Sequence, residues 1–290
     1  MPSFSGHETF PLRFTWLAKA VEAAETDPDA FSDDAAIATF GVGRNMVRAI
    51  KHWAVAASVL EAEGGGTVVP TDVGRIVFRL DGADPYCEDP ATHWLIHWLL
   101  CRDLDRATLW HYVFGHWRSG ALDIRSLRSA LGPWLHERGA DLPSESTLKR
   151  DLLCLVGTYT TNERQSIEDA VASPLSSLGL VVSDGGAHYL REGRHASLPA
   201  SVFAYAVLDY WNRVHPEAET LAVRELLYAP GSPGRVFLLG EEQAFDLVAQ
   251  AEALADPPFR YAATAGMEQL YRAPDASALS ILTSAYAVSA

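Results

Sequence analysis

Apolar residues recur at helical spacing along most of the chain, broken by short β-branched runs that sit beside glycine turns. The pattern is densest between Ser32 and Leu80. Ser32 precedes DDAAIATF, with Asp33 and Asp34 in the first turn, where carboxylates favour the helix dipole. Gly41-Val42-Gly43 should end that helix, because glycine supplies the positive φ of a tight interhelical turn. A longer helix is expected over RNMVRAIKHWAVAASVLE, with Met46, Val47, Ile50, Trp53 and Ala54 on its apolar stripe. Three glycines, the run TVV, Pro70-Thr71 and a last short element, DVGRIVF, follow. Helix, turn, helix and small hairpin together predict a winged helix-turn-helix.

Two fainter echoes come later. IRSLRSALGPWLHERG and ESTLKRDLLCLVGTY read as a helix pair, the second capped by Ser144, and LGLVVSDGGAHYLREG reads as a wing around Asp184-Gly185-Gly186. Between Leu221 and Leu254, VRELLY, PGSPGRVFLLG and EEQAFDLVAQAEAL form the third. An aromatic stretch from Pro90 to Gly120 separates the first two and holds four of the eight tryptophans and four of the ten histidines. Side chains of this kind at such density usually pack a hinge. The expected class is mainly α with small β-wings, an α+β chain. Its expected parts are an N-terminal segment with a winged helix-turn-helix (1–82), an aromatic helical connector (83–122), a second winged-helix-like unit (123–196) and a C-terminal helical region with a third wing-like element (197–290).

Composition narrows the class. Of 290 residues, 48% are hydrophobic and 21% charged, ordinary globular values. A net charge of −14 argues against a histone-like coat, so any DNA contact must use a local basic face and be steeply salt-sensitive. Three scattered cysteines form no CxxC motif, and with no signal-peptide pattern or membrane-length apolar run the expectation is a cytoplasmic protein with no membrane partner.

Arg44, Arg48 and Lys51 fall at i, i+4 and i+7, so a helix projects them from one face with Asn45 beside them. These residue types reach guanine, adenine and phosphate, although the same face would equally serve as a solvated back to the apolar stripe. Lys149 and Arg150 hold the matching place in the second unit, and residues 101–150 carry eight basic against six acidic residues. In the opening motif Ser5-Gly6-His7-Glu8-Thr9-Phe10, the His-Glu pair suits metal or proton work, while Ser5 and Glu8 also fit a capping box. His93 and His97 stand at metal-gripping spacing, yet Trp-Leu-Ile lies between them, which suits packing as well.

Several chemistries are excluded. Leu17, Ala49 and Thr147 stand two places before the only three lysines, which rules out an Asp/Glu-x-Lys nuclease triad. Walker, GxSxG, GxGxxG and His-x-His motifs are missing too. A nuclease centre would have to draw on scattered carboxylates around a divalent cation, Mg²⁺ or Mn²⁺, with His7 and Glu8 or the Glu88-Asp89 pair as its catalytic groups. Tyrosine attack through Tyr86 or Tyr112 is the other route left open.

SGHETFPLRFTWL, GVGRNMVRAIKHW, PTDVGRIVF, DPYCEDPATHWLIHW, TLKRDLLCLVGTY and PGSPGRVFLL, taken in order, resemble one bacterial family. It is the SspB-like DNA-nicking family of single-strand phosphorothioation defence systems. The resemblance implies a DNA-binding protein that nicks one strand, with a cysteine desulfurase, an ATPase and an ATP pyrophosphatase as system partners. Gly6, His7, Glu8 and Arg13 match its N-terminal signature; Gly43, Asn45, Met46 and Arg48 match its helix-turn motif; Glu88 and Asp89 match its acidic turn. Arg13 thereby joins the residues expected to contact DNA. A non-catalytic winged-helix adaptor or regulator is the alternative, and a scaffold using the aromatic region as an interface is a third reading.

Overall fold

The computed structural model describes residues 1–118, 120–161 and 173–287. Its elements are mostly helices with three small antiparallel sheets, and the chain divides into two compact units. The first comprises Met1–Tyr112 and Trp117–Arg191; the second comprises Val113–His116 and the chain from Glu192 onward. None of the described helices is long and apolar enough to cross a membrane.

In the first unit, α1 (Trp16–Thr26), α2 (Asp33–Phe40) and α3 (Arg44–Ala56) lead into a hairpin of β1 (Leu60–Gly64) and β2 (Thr67–Pro70). Gly41 ends α2 in the left-handed conformation at φ 65°, as the glycine turn predicted. One detail differs from the sequence pattern. Helix α3 stops at Ala56 instead of running on through Glu61. The Arg106 guanidinium takes the Val55 carbonyl and the Ser58 hydroxyl, both at 3.0 Å, and Ser58 turns to φ 52°, so SVLE leaves the helix to start the hairpin. DVGRIVF, expected only as a short element, is helical. Gly74–Phe78 forms a π-helical turn capped by the Thr71 hydroxyl, and it buries Val77 and Phe78.

Helix α4 (Pro90–Cys101) buries every residue after its first, as expected of a helix apolar on all sides. Trp94 and Trp98 are fully buried, and Trp110 on α5 (Thr108–Gly115) is 2% exposed, in line with a packed aromatic region. Asp123 caps α6 (Ile124–His136), and Ser144 caps α7 (Glu145–Tyr159) by accepting from Thr147 N–H at 3.2 Å. A 3₁₀ turn at Pro174–Leu178 leads to the hairpin β3 (Val181–Asp184) and β4 (Ala187–Leu190), turned by Gly185 and Gly186.

The second unit is built on α8 (Ala200–Val214). After it come β5 (Thr220–Ala222), α9 (Val223–Tyr228), the short α10 (Pro233–Val236) and α11 (Glu241–Glu252). The antiparallel pair β6 (Phe259–Thr264) and β7 (Met267–Arg272) precedes α12 (Ala278–Ala287). The sheet order is β5-β7-β6, and α11 and α12 both pack on α8. The hairpin of this region, β6–β7, lies beyond Leu254, and the glycine-rich PGSPGRVFLLG of the third echo forms α10 and its flanks.

Candidate functional site

The opening motif folds as a tight turn ahead of α1, with Ser5, Glu8 and Thr9 at φ 64°, 48° and 68°. Three non-glycine residues at positive φ, one of them β-branched, make a strained turn that must be held from outside. The Asp151 carboxylate on α7 holds it: Ser5 N–H donates to both of its oxygens at 3.1 Å and the Ser5 hydroxyl to Oδ1 at 3.2 Å. Ser5 and Glu8 consequently do not form a capping box, and the first helix begins only at Trp16.

His7 completes the lock. Thr9 N–H donates to Nδ1 at 3.0 Å, which puts the ring proton on Nε2, 3.1 Å from Asp151 Oδ1. His7 and Asp151 are each 2% exposed. The imidazole lies against Trp53, Trp110 and His52, with centroids 5.8–6.3 Å away. Gly6 is needed where it stands, because a Cβ there would lie 2.3 Å from His52 Nδ1. The next residues are pinned by Trp53, whose indole N–H donates to the Phe10 carbonyl at 2.9 Å.

Beside this lock, His52 contacts the rings of His7 and Trp53 and has no hydrogen-bond partner among the described residues. Burial, helped by His7, pushes its pKa down to about 4, and Asp151 only partly offsets this. It is thus neutral at physiological pH, and its surroundings oppose protonation.

The turn carries Glu8 outward. Its Oε1 lies 3.8 Å from Nη1 of Arg48, the two side chains being 34% and 59% exposed. Arg44 and Asn45 are exposed on the same helix, α3. Lys51 is different: its ammonium donates to the Gly66 carbonyl at the hairpin tip and lies 5.8 Å from the Phe31 ring centroid, so it ties β1–β2 to α3. Burial lowers its pKa, against the pull of Asp29. Arg13 stacks over Trp16 at 5.5 Å. Lys149 and Arg150 are exposed on α7, immediately before the buried Asp151.

Glu88 and Asp89 occupy another turn. The buried Asp84 carboxylate accepts Glu88 N–H at 2.9 Å and Asp89 N–H at 3.0 Å. Asp89 in turn caps α4 by accepting from Ala91 N–H at 2.8 Å, ahead of Pro90 at the first helical position. Its carboxylate is committed to the helix, whereas Glu88 is exposed. The histidines of α4 are engaged in packing. His93 reaches the Cys87 carbonyl at 2.7 Å and the Ser177 hydroxyl at 2.8 Å; His97 reaches the Tyr159 hydroxyl at 2.7 Å. Among the described residues, no three His, Cys, Asp or Glu side chains come together as a metal cage.

The structure thus brings Glu8, next to the buried His7, beside Arg48, and puts Glu88 and Asp89 on the turn ahead of α4. It adds two residues that the sequence patterns did not single out, Asp151 and His52. Asp151 left a faint trace as the lone acid entering the apolar run LLCLV, and His52 as the residue one turn beyond Arg48 on α3.

A family model described as protein of unknown function (DUF4007) matches residues 4–286. Two solved structures are similar over 99% of this chain and 88% of theirs, at 29% sequence identity. One is a magnesium ion-bound SspB with a TM-score of 0.90, the other an SspB structure with a TM-score of 0.89. No curated protein matches.

Proposed function

The chain belongs to the DUF4007 family and is SspB-like, and from that premise we propose that it binds DNA and nicks one strand within a phosphorothioation defence system. The observation that carries this reading is the strained N-terminal turn, which projects Glu8 against Arg48 on an exposed face with Arg44 and Asn45. Strain of this kind concentrates where side chains must be presented for chemistry. Helices α2 and α3 with the β1–β2 hairpin serve as a winged helix-turn-helix, α3 being its recognition helix. Lys149 and Arg150 add phosphate contacts from α7.

In this reading Asp151 and His7 are positioning residues, and Glu8 and Arg48 face the scissile phosphate. The Glu8 carboxylate accepts the proton of the attacking water, and His52, held neutral by burial, adds no charge beside the turn. Attack at phosphorus breaks one P–O bond and leaves the second strand whole. The donor set fits no caged metal. It does fit magnesium arriving on the DNA backbone, since Mg²⁺ is commonly held by one or two carboxylates together with substrate phosphate and water. Glu8 or Glu88 would hold such an ion, which would polarise the phosphate and make a bound water more acidic.

A second reading, a non-catalytic adaptor, draws on a specific observation: His7 and Asp89 are both consumed by structural hydrogen bonds. A supercoiled-plasmid assay with Mg²⁺, Mn²⁺ or EDTA, run beside a gel-shift on the same DNA, decides between the two. The nickase reading expects open-circular product that EDTA abolishes and that Glu8→Gln reduces at unchanged affinity. Binding with no nicking under any condition selects the adaptor, and linear product or no binding overturns both.

A further inference from the structure

The sheet of the second unit has one packed face and one open face, and strand register assigns its residues between them. Leu270 of β7 pairs with Leu221 of β5 and Tyr261 of β6, and both leucines are buried. Phe259 and Arg272 belong to the same side, where the Arg272 guanidinium lies 4.8 Å from the centroid of the buried Trp211 ring on α8. The alternate positions form the open face in three rows: Thr220, Tyr271 and Arg260; Ala222, Gln269 and Ala262; Met267 and Thr264. Arg260 and Thr264 are exposed on it, and Tyr271 and Met267 are 44% and 63% exposed.

The charge on this face has one sign. Arg260, directly across from Tyr271, is the only charged side chain of the three strands that falls on it. Glu268 belongs to the packed side, where its Oε1 accepts from the Tyr261 hydroxyl at 2.9 Å. The floor between the ring and the arginine is small and polar, built of Thr220, Ala222, Ala262 and Gln269. That is too little apolar surface for the core of a protein interface. Addition of a further strand along β6 is opposed as well, because Glu252 Oε1 already takes Tyr261 N–H at 2.7 Å. A cavity of about 570 Å³ opens at the first row, lined by Tyr271 and Arg260 with Pro258, Ser277 and Ser280. Its volume lies in the range of sites for small planar groups, about 300–1,000 Å³.

We propose that this face binds single-stranded nucleic acid, with a base stacked on Tyr271, a backbone phosphate on Arg260 and a base edge at Gln269. An exposed aromatic ring beside an arginine on an open sheet is the arrangement that holds unpaired strands, and it tolerates any sequence because every base has a π-face. Asp256 and Asp275 also line the cavity. They repel phosphate and accept hydrogen bonds from base amino groups, so a base enters the cavity and the phosphate stays with Arg260. Duplex DNA keeps its bases stacked on one another and gives the ring nothing to hold. The proposal goes beyond the nicking reading and uses none of the residues assigned to it.

Fluorescence anisotropy of the full chain in EDTA, with a labelled strand of about 12 nucleotides and with its duplex, tests this. Tyr271→Ala should weaken strand binding by about tenfold, whereas Tyr271→Phe keeps the ring and should bind like the parent. Arg260→Gln should weaken it too and lower the log–log salt slope by about 0.7, the value for one phosphate of a single strand. Both residues are exposed, so circular dichroism should be unchanged; Arg260→Gln decides the matter if Tyr271→Ala unfolds. Arg44→Ala with Arg48→Ala should reduce duplex affinity and leave strand affinity alone. The proposal is overturned by no strand binding at about 100 μM, by Tyr271→Phe as weak as Tyr271→Ala, or by Tyr271→Ala and Arg260→Gln both matching the parent. Strand affinity that falls only with the Arg44 and Arg48 changes also overturns it and assigns the strand to α3. Because EDTA is present throughout, these outcomes stand apart from whether the protein nicks DNA.

Discussion

Replacing Asp151 by Asn should release the N-terminal turn while leaving the shape of α7 unchanged. The carboxylate is 2% exposed and serves three donors: Ser5 N–H, the Ser5 hydroxyl and His7 Nε2–H. An amide keeps one acceptor oxygen and places an NH₂ group against a donor, with no water to intervene. Hydrogen bonds to a charged group are worth about 1.5–3 kcal/mol each, and a buried donor facing another donor adds its desolvation cost, so about 3 kcal/mol is expected. For a unit of this size 1 kcal/mol moves the midpoint by about 2–4 °C, which predicts a fall of about 6–12 °C. Differential scanning calorimetry reads this directly, with the exposed neighbour change Arg150→Gln as the control. Limited proteolysis should show earlier cleavage within the first ten residues. Nicking should drop with it, because Glu8 is no longer held at Arg48, while DNA affinity changes little. A midpoint within about 2 °C of the parent, with cleavage before Trp16 unchanged, would refute the claim that Asp151 holds the turn.

Gly6→Ala should cost about 1–3 kcal/mol, since its Cβ would sit 2.3 Å from His52 Nδ1. Adding His52→Ala should restore part of that loss, a coupling that a double-mutant cycle measures. Stability should also depend on pH through His52. The unfolded imidazole titrates near 6.5 and the folded one near 4, so this contribution is complete above pH 6.5 and shrinks as pH falls toward 4. The full loss is about 3 kcal/mol, and His52→Asn should flatten that limb of the urea-midpoint profile. Arg44→Ala with Arg48→Ala should reduce DNA affinity and the slope of its salt dependence, while stability moves by no more than about 1 kcal/mol because the Arg48–Glu8 pair is long and exposed. Unchanged affinity across the salt titration would remove α3 from the DNA interface.

Much of the architecture was legible from local pattern. The glycine pair at 41 and 43, the cap at Ser144 and the apolar stripe of α3 act within a turn or two of chain, so periodicity and capping chemistry reveal them. Exposure of Arg44, Asn45 and Arg48 follows from the same periodicity, because a stripe buried on one side leaves the opposite side to water. Local pattern misjudged the end of α3, where Arg106 supplies a hydrogen bond from 51 positions away.

Local pattern alone thus reaches helices α2 to α7, α9 and α11, the exposed face of α3 that carries Arg44, Asn45 and Arg48, and the absence of the commoner nuclease motifs. What the candidate residues are free to do is set by long-range packing. His7 meets its carboxylate across 144 positions, Asp89 turns back to cap its own helix, and Lys51 folds onto the hairpin turn at Gly66. Arg272 is braced by Trp211 and Asn212 some 60 positions earlier. A residue's type and spacing limit the chemistry it can perform. Whether its polar atoms are already satisfied depends on which distant segment packs against them, and short-range periodicity carries no record of that pairing.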